Sequence, residues 1–259
     1  MLRKISIFSL ILVAAFTVSC KKTERQASSQ VDDIGGFIES VVSSTMNMGY
    51  VLRLGSGLYS IDEDTGDEKD AMKWVLSMNL GDSIMTGTSR RATFTGSNNV
   101  STVYDVTEVR ANNREGYALD LQIAVGGNLA VVVDERANLY RTSNAIDVMG
   151  SIISRKTVLV YYPETLNNGY VEIRAYDPEA RANRHGNFVR FSSLSTKPAD
   201  IQSSILLQTA LSLRTTVPAE KNRRDALLET ALLDYSDSVF YSEIYEAANP
   251  SPSENEEDI

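Results

Sequence analysis

Few side chains in this 259-residue sequence could assemble into a catalytic set. It has one cysteine, Cys20, and one histidine, His185. A serine triad, a two-histidine zinc site or a facial metal triad needs partners that this inventory does not supply. No nucleophile elbow, phosphate-binding glycine loop or Gly-x-Gly-x-x-Gly is present, and Gly55-Ser56-Gly57 reads as a tight turn. His185, within Asn183-Arg184-His185-Gly186, reads as a solvated turn residue. Carboxylates are plentiful. Asp62-Glu63-Asp64-Thr65-Gly66-Asp67-Glu68 could offer hard oxygen ligands to calcium, but Gly66 misses the EF-hand register and no helices flank it, so a solvated acidic loop is expected. Two carboxylates flanking a glycosidic bond can come from anywhere in a sequence, which leaves glycan hydrolysis as a minor alternative. Tyrosines are the stronger signal. Tyr140, Tyr161, Tyr162, Tyr170 and Tyr176 crowd into one stretch, and a sheet face showing several of them suits recognition of sugar or peptide by stacking plus a hydroxyl. Tyr140, Tyr162 and Tyr170 are the candidate ligand contacts. Tyr161 and Tyr162 must point to opposite faces of a strand, and the sequence leaves open which of them faces out. No metal and no cofactor is expected, and the chain is expected not to be an enzyme.

The remaining singular residue, Cys20, sits where its surroundings give it a role. Arg3 and Lys4 form a short positive region, and Ile5 to Val18 is almost wholly apolar, the length of a signal-peptide core and short of the roughly 20 residues a membrane span needs. Thr17-Val18-Ser19-Cys20 follows, then Lys21-Lys22. This motif resembles the bacterial lipobox, with Thr17 where leucine is usual and Phe16 one place further back. The resemblance implies a signal peptide over 1–19, cleavage before Cys20, and diacylglycerol with a further acyl chain such as palmitate on that cysteine. Several acyl chains bury enough methylenes for stable anchoring, at about 0.8 kcal/mol each. A single lipidated thiol also leaves no internal disulfide to form. The expected location is the cell envelope, anchored at the periplasmic face or the outer membrane. Lys21-Lys22, in place of an acidic residue, favour the outer one, and the leaflet stays open.

Composition narrows the partner. The formal net charge is −9, and loss of Arg3 and Lys4 with a signal would make the remainder more acidic. No basic cluster with interleaved aromatics is present, which argues against nucleic acid. A hydrophobic fraction of 42% suits a globular core.

The elements that must position the tyrosines follow from patterning. Residues 20–33 read as a polar tether, and Ile34 to Met48 as an ambiguous lead-in. From Tyr50 to Leu194 short runs rich in Val, Ile, Tyr and Thr predict strands at Trp74–Met78, Ser83–Met85, Val100–Val109, Ala118–Ala124, Ala130–Val133, Thr157–Tyr162, Tyr170–Tyr176 and Asn187–Phe191. Asn112-Asn113, Gly126-Gly127-Asn128 and Asn167-Asn168-Gly169 punctuate them, because Asn and Gly tolerate the positive φ of tight hairpins. Short strands at this spacing suit a small barrel or sandwich. Residues 199–248 change character. Ile201, Ile205, Leu206, Ala210, Leu211 and Leu213 recur at helical spacing, Pro218 suits the first turn of a second helix carrying Ala226, Leu227, Ala231, Leu232 and Tyr235, and Phe240 to Tyr245 suggests a third. The acidic, Pro- and Ser-containing tail, 249–259, is expected to be disordered.

The strand-rich region also repeats itself. The clearer copy runs through Ala130-Val131-Val132-Val133, Ala137-Asn138-Leu139-Tyr140-Arg141, Met149-Gly150-Ser151-Ile152, Thr157–Tyr162, Gly169–Arg174 and Gly186–Leu194. The looser copy opens at Gly57-Leu58-Tyr59-Ser60, continues through Trp74–Leu76, Leu80–Met85 and Val103–Val106, and closes at Gly116–Leu121. This order resembles the bacterial Src-homology-3 domain. The resemblance implies a mainly β protein with tandem small Src-homology-3-like barrels over 50–126 and 127–195, followed by a C-terminal α-helical segment. It implies a non-enzymatic binding module for peptidoglycan or an envelope protein; a helix-mediated scaffold is the alternative. Three departures stand out, and one is that Gly169-Tyr170 stands where the family has Gly-Trp. Arg155-Lys156 replace the usual glycine before the central strand of the second copy, and residues 62–73 and 86–99 are longer than the family has there.

Overall fold

The computed structural model describes residues 46–62, 71–95, 101–144, 146–177 and 182–250. The expected signal peptide, Cys20, the tether and the tail from 251 lie outside them, as does most of the acidic stretch after Asp62. The described residues belong to one unit, Ser43–Ile259.

The protein is mainly β, with sheets that curl into half-barrels and a helical segment at the C-terminus. Two seven-stranded antiparallel sheets follow one another. The first contains β1 (Asn47–Val51), β2 (Ser56–Asp62), β3 (Ala71–Met78), β4 (Ser83–Thr95), β5 (Ser101–Ala111), β6 (Arg114–Leu119) and β7 (Ile123–Val125). The second contains β8 (Asn128–Val132), β9 (Arg136–Tyr140), β10 (Val148–Ser154), β11 (Val158–Asn167), β12 (Tyr170–Asp177), β13 (Ala182–Arg190) and β14 (Leu194–Ser195). The first is ordered β3-β2-β6-β5-β4-β1-β7 and the second β10-β9-β13-β12-β11-β8-β14, which is the same order strand for strand. A single 3-10 turn precedes the last strand of each, at Asp120–Gln122 and Phe191–Ser193.

Register makes the correspondence residue-specific. Gly49 pairs with Ile84 as Ala130 does with Leu159, Val109 with Gly116 as Ile173 does with Asn187, and Val51 with Ile123 as Val132 does with Leu194. Loop hydrogen bonds repeat as well. Gly81 N donates to Val51 O at 2.8 Å and Lys156 N to Val132 O at 2.9 Å; Leu52 N donates to Gln122 O at 2.8 Å and Val133 N to Ser193 O at 2.9 Å. The first repeat therefore opens with β1, and Gly57-Leu58-Tyr59-Ser60 belongs to its second strand. The short Asn47–Val51 segment hid because it lacks a clean alternation.

Each half-barrel has its own core: Val51, Leu58, Met78, Ile84, Val109, Ala118 and Ile123 in the first, with Val132, Leu139, Leu159, Val171, Ile173 and Val189 among those in the second. Alternation is plain in β9, where Arg136 and Asn138 are exposed and Ala137 and Leu139 buried. It fails in β11, where Val158, Leu159 and Val160 are all buried. Leu159 enters the barrel core, Val158 a helix-facing cluster and Val160 a contact with the first repeat. A run apolar on both faces is what a strand covered on both sides requires. The expected single strand Ala118–Ala124 is broken instead at Asp120, whose carboxylate accepts from Thr107 Oγ1 at 2.5 Å and whose carbonyl accepts from Arg174 at 2.7 Å.

The helices are α1 (Pro198–Leu211), α2 (Pro218–Asp234) and α3 (Tyr241–Ala248); α1 and α2 both begin on proline, which suits a position whose N–H has no helical acceptor. Leu207, Ala210, Leu228, Ala231, Phe240 and Ile244 pack together and onto Val131 and Val158 of the second repeat and Leu80 of the first. The segment therefore sits on the sheets. Its footing is one turn used twice. Gly81 and Lys156 are equivalent and both left-handed, at φ +82° and +72°. A Cβ on Gly81 would lie 2.4 Å from the terminal Cδ1 of Ile205 in α1, and that contact together with the left-handed backbone favours glycine there. Lys156 meets α1 through its carbonyl, which accepts from Ser204 Oγ and Gln208 Nε2, each at 2.7 Å. Arg155 beside it donates to Glu243 of α3 at 2.7 Å, to Val239 O at 3.0 Å and to Val133 O, and stacks on Phe240 with 4.9 Å to the ring centroid. The residues that depart from the expected glycine are thus the ones that bind the helices.

Candidate functional site

The expected ligand tyrosines divide into two groups. Tyr140 ends β9 and Tyr170 begins β12, and both face away from the barrel core that their neighbours Leu139 and Val171 enter. Their rings meet edge-to-face, with centroids 5.0 Å apart at 74°. Register adds partners that the sequence reading did not single out. Tyr170 pairs with Arg190, and Phe188 with both Tyr140 and Glu172. The Arg190 guanidinium lies 5.9 Å from the Tyr170 ring centroid and donates to its hydroxyl at 3.4 Å; that hydrogen bond pushes the arginine's pKa above its ordinary value. Arg190 is exposed, and the aromatic rings beside it are half-buried. A shallow depression of about 580 Å³ adjoins them, lined by Leu166, Asn168, Gly169, Tyr170, Arg190 and Phe191. Asn168 and Gly169, at φ +51° and +80°, form the tight turn that brings β12 back beside β11. Strand spacing accounts for the patch: 188 and 190 share a face, and that face looks out because Val189 looks in.

Tyr162 lies elsewhere. It packs with Leu52, Ala124 and Val160 where the two repeats meet, and its hydroxyl donates to Val125 O at 3.2 Å. Burial raises its pKa above the ordinary phenol value against the lowering effect of Arg174. Tyr161, the residue the sequence could not separate from it, packs on the second core with its ring 5.6 Å from that of Phe191. Tyr176 lies under Arg53, 4.9 Å from the guanidinium to its centroid. His185 lies inside β13, where the pairing with β12 shifts register, rather than in a free turn.

The equivalent face of the first repeat is built differently. Tyr59 stands where Tyr140 does, Val106 where Tyr170 does, and Leu119 where Arg190 does. Val106 is fully buried, in a cluster with Met72 and Ala92 against Tyr59, Ile61, Tyr104, Tyr117 and Leu119. Ala92 is supplied by the long ribbon of β4 and β5, paired from Met85 and Arg110 out to Thr95 and Ser101. That ribbon is the extra length the sequence showed at 86–99, and it covers the first repeat's face.

The second repeat's patch thus offers aromatic faces for stacking, a hydroxyl and a cation, a set that fits a sugar ring or a peptide bearing a carboxylate. Among the described residues no group of three His, Cys, Asp or Glu side chains could hold a metal ion, and no helix is long and apolar enough to cross a membrane.

No family model matches the chain, and no curated protein matches it in sequence. Among solved structures it is similar to NlpC2 from Trichomonas vaginalis, at 10% identity and a TM-score of 0.21, over 65% of this chain and 56% of that one. It is also similar to an NlpC/P60 endopeptidase from Photobacterium damselae subsp. piscicida, at 12% identity and a TM-score of 0.24, over 64% of this chain and 36% of that one. The chain thus spans about half or less of the length of these proteins.

Proposed function

We propose that this protein is a lipid-anchored envelope component that binds peptidoglycan, without catalysis, through the Tyr140–Tyr170–Arg190 face of its second repeat. The observation that carries the reading is the patch itself: two tyrosines edge-to-face, an arginine hydrogen-bonded to one of them, and a depression beside them, left uncovered where the other repeat is covered. The two repeats are read as tandem bacterial Src-homology-3-like domains. Their common strand order and the 3-10 turn before each last strand support that reading. Peptidoglycan suits the patch because it offers both flat sugar faces for the tyrosines and peptide carboxylates for Arg190. Anchoring through Cys20 would hold this face near the wall.

The test is co-sedimentation of the protein with purified sacculi at low and moderate salt. Saturable binding at both salts is expected, since stacking is not screened as an exposed ion pair is. Absence of binding at both salts would remove the wall as the ligand. An envelope protein is a second reading with its own observation: Leu211 and Leu233, 55% and 73% exposed, leave apolar surface on the helices beyond what the sheets cover.

A further inference from the structure

A second cleft lies between the repeats, remote in character from the tyrosine patch. Its volume is about 690 Å³, within the range of small-molecule sites, and such sites concentrate at the junctions of structural units. Leu54, Leu119 and Leu121 of the first repeat are half-buried and give the cleft its accessible aliphatic wall, while Leu52, Leu80 and Val158 are buried behind it and about half of the exposed lining is polar. Among the described residues no acidic one lines it, in a chain whose net charge is −9, and the one charged lining residue is Arg53. Arg53 is half-buried over the Tyr176 ring, and among the described residues it has no carboxylate partner. The hydroxyls of Tyr104 and Tyr176, also in the lining, make no hydrogen bond among the described residues. A cation held in a cleft without a counter-ion among the described residues, beside two idle donors and three accessible leucines, is complementary to an anion with an apolar body.

The backbone around the cleft separates a small amphiphile from a peptide. Leu52 N, Gly81 N and Thr157 N are all used within the fold, bonded to Gln122 O, Val51 O and Ser154 O, and Arg53 O accepts from Ser56 Oγ. An extended peptide docks by adding to a free ladder, and these positions offer none.

We propose that the cleft between the repeats binds a fatty-acyl carboxylate, its chain along Leu54, Leu119 and Leu121 and its head group on Arg53 with the Tyr104 and Tyr176 hydroxyls. The site is separate from the wall-binding face and does not depend on it.

The experiment is calorimetric titration of the full chain with dodecanoate and with dodecyltrimethylammonium, both below micelle formation, at the same chain length and opposite charge. The expected result is one saturable site for dodecanoate and affinity roughly tenfold weaker for the cationic probe, the scale of a charge-assisted hydrogen bond. Arg53→Met keeps an apolar stem and removes the charge, and should erase that preference while leaving thermal unfolding in place. Tyr176→Phe should weaken dodecanoate alone by a few-fold, a change a merely greasy surface would not show. Equal binding of both probes by the wild-type protein, several weak sites, or a preference that survives Arg53→Met would each overturn the assignment.

Discussion

The two repeats share a strand order, a register and a set of loop hydrogen bonds, yet they present opposite kinds of surface. In the first, Val106 is sealed under Ala92 and Met72 by a long ribbon. In the second, the short β11–β12 hairpin stops before it can cover the same place, and Tyr170 and Arg190 stand there half-open. Loop length, more than the core, decides which copy leaves this face open. The same division appears at the helix footing. The first repeat offers Leu80 and Gly81, which pack, while the second offers Arg155 and Lys156, which hydrogen-bond. The repeated scaffold thus keeps its framework and differs at the helix footing and at the tyrosine face.

The largest effects should fall on the framework and treat the copies alike. Leu58 and Leu139 are equivalent and fully buried, one in each core. Leu58→Ala and Leu139→Ala should each cost about 2–5 kcal/mol in denaturant unfolding, from lost transfer energy and a cavity. A cost in only one copy would mean that the two barrels are not equally built.

Next come the substitutions that should separate the copies. Arg155→Met removes a half-buried pair with Glu243, two bonds to carbonyls and a stack on Phe240. It should cost about 2–4 kcal/mol, because it leaves the glutamate and two acceptors less well satisfied. The pair also sets a pH dependence. Burial by itself would raise the Glu243 pKa, but the hydrogen bonds from Arg155, from its own backbone N–H and from Ser242, with the Arg155 charge, together outweigh it and hold the carboxyl below its ordinary value of 4.5. With the folded pKa the lower one, the stabilisation is fully present above about pH 4.5 and is lost as pH falls through the folded value. Acid titration of wild type against Glu243→Gln should show the difference between the two shrinking in that window. A smaller and opposite pair of changes probes the shared turn. Lys156→Gly relieves a left-handed residue and should stabilise by up to about 1 kcal/mol, whereas Gly81→Ala meets Ile205 and should destabilise by more than that.

Much of this organisation was legible in the sequence. The β-rich region, the three helices with proline at the start of the second, and the turns at Asn112-Asn113 and Asn168-Gly169 follow from patterning and from backbone conformations that Asn and Gly adopt cheaply. The duplication was visible too, but its opening in the first copy was placed one strand late, because Asn47–Val51 is short and lacks a clean alternation. The site was half legible. Residue type singles out Tyr140 and Tyr170, and the structure brings them together. Residue type also singles out Tyr162, which lies at the contact between repeats, since only long-range pairing decides which surface a strand's outward face meets. Arg190 is not legible in the sequence although Phe188, Val189 and Arg190 alternate plainly, because its signal is the cross-strand pairing with Tyr170, which no single-sequence period contains.

The proposed function requires that the second repeat bind the wall and that the first not do so. The most direct measurement is sacculus co-sedimentation of three proteins: wild type, Tyr170→Ala, and Val103→Ala. The last alters an exposed position on the covered ribbon of the first repeat. Truncating a stacking aromatic at the centre of a site costs about 1–2 kcal/mol, so Tyr170→Ala should weaken binding roughly tenfold while Val103→Ala leaves it unchanged. Equal binding by Tyr170→Ala and wild type, with both folded, would show that the Tyr140–Tyr170–Arg190 face does not bind the wall.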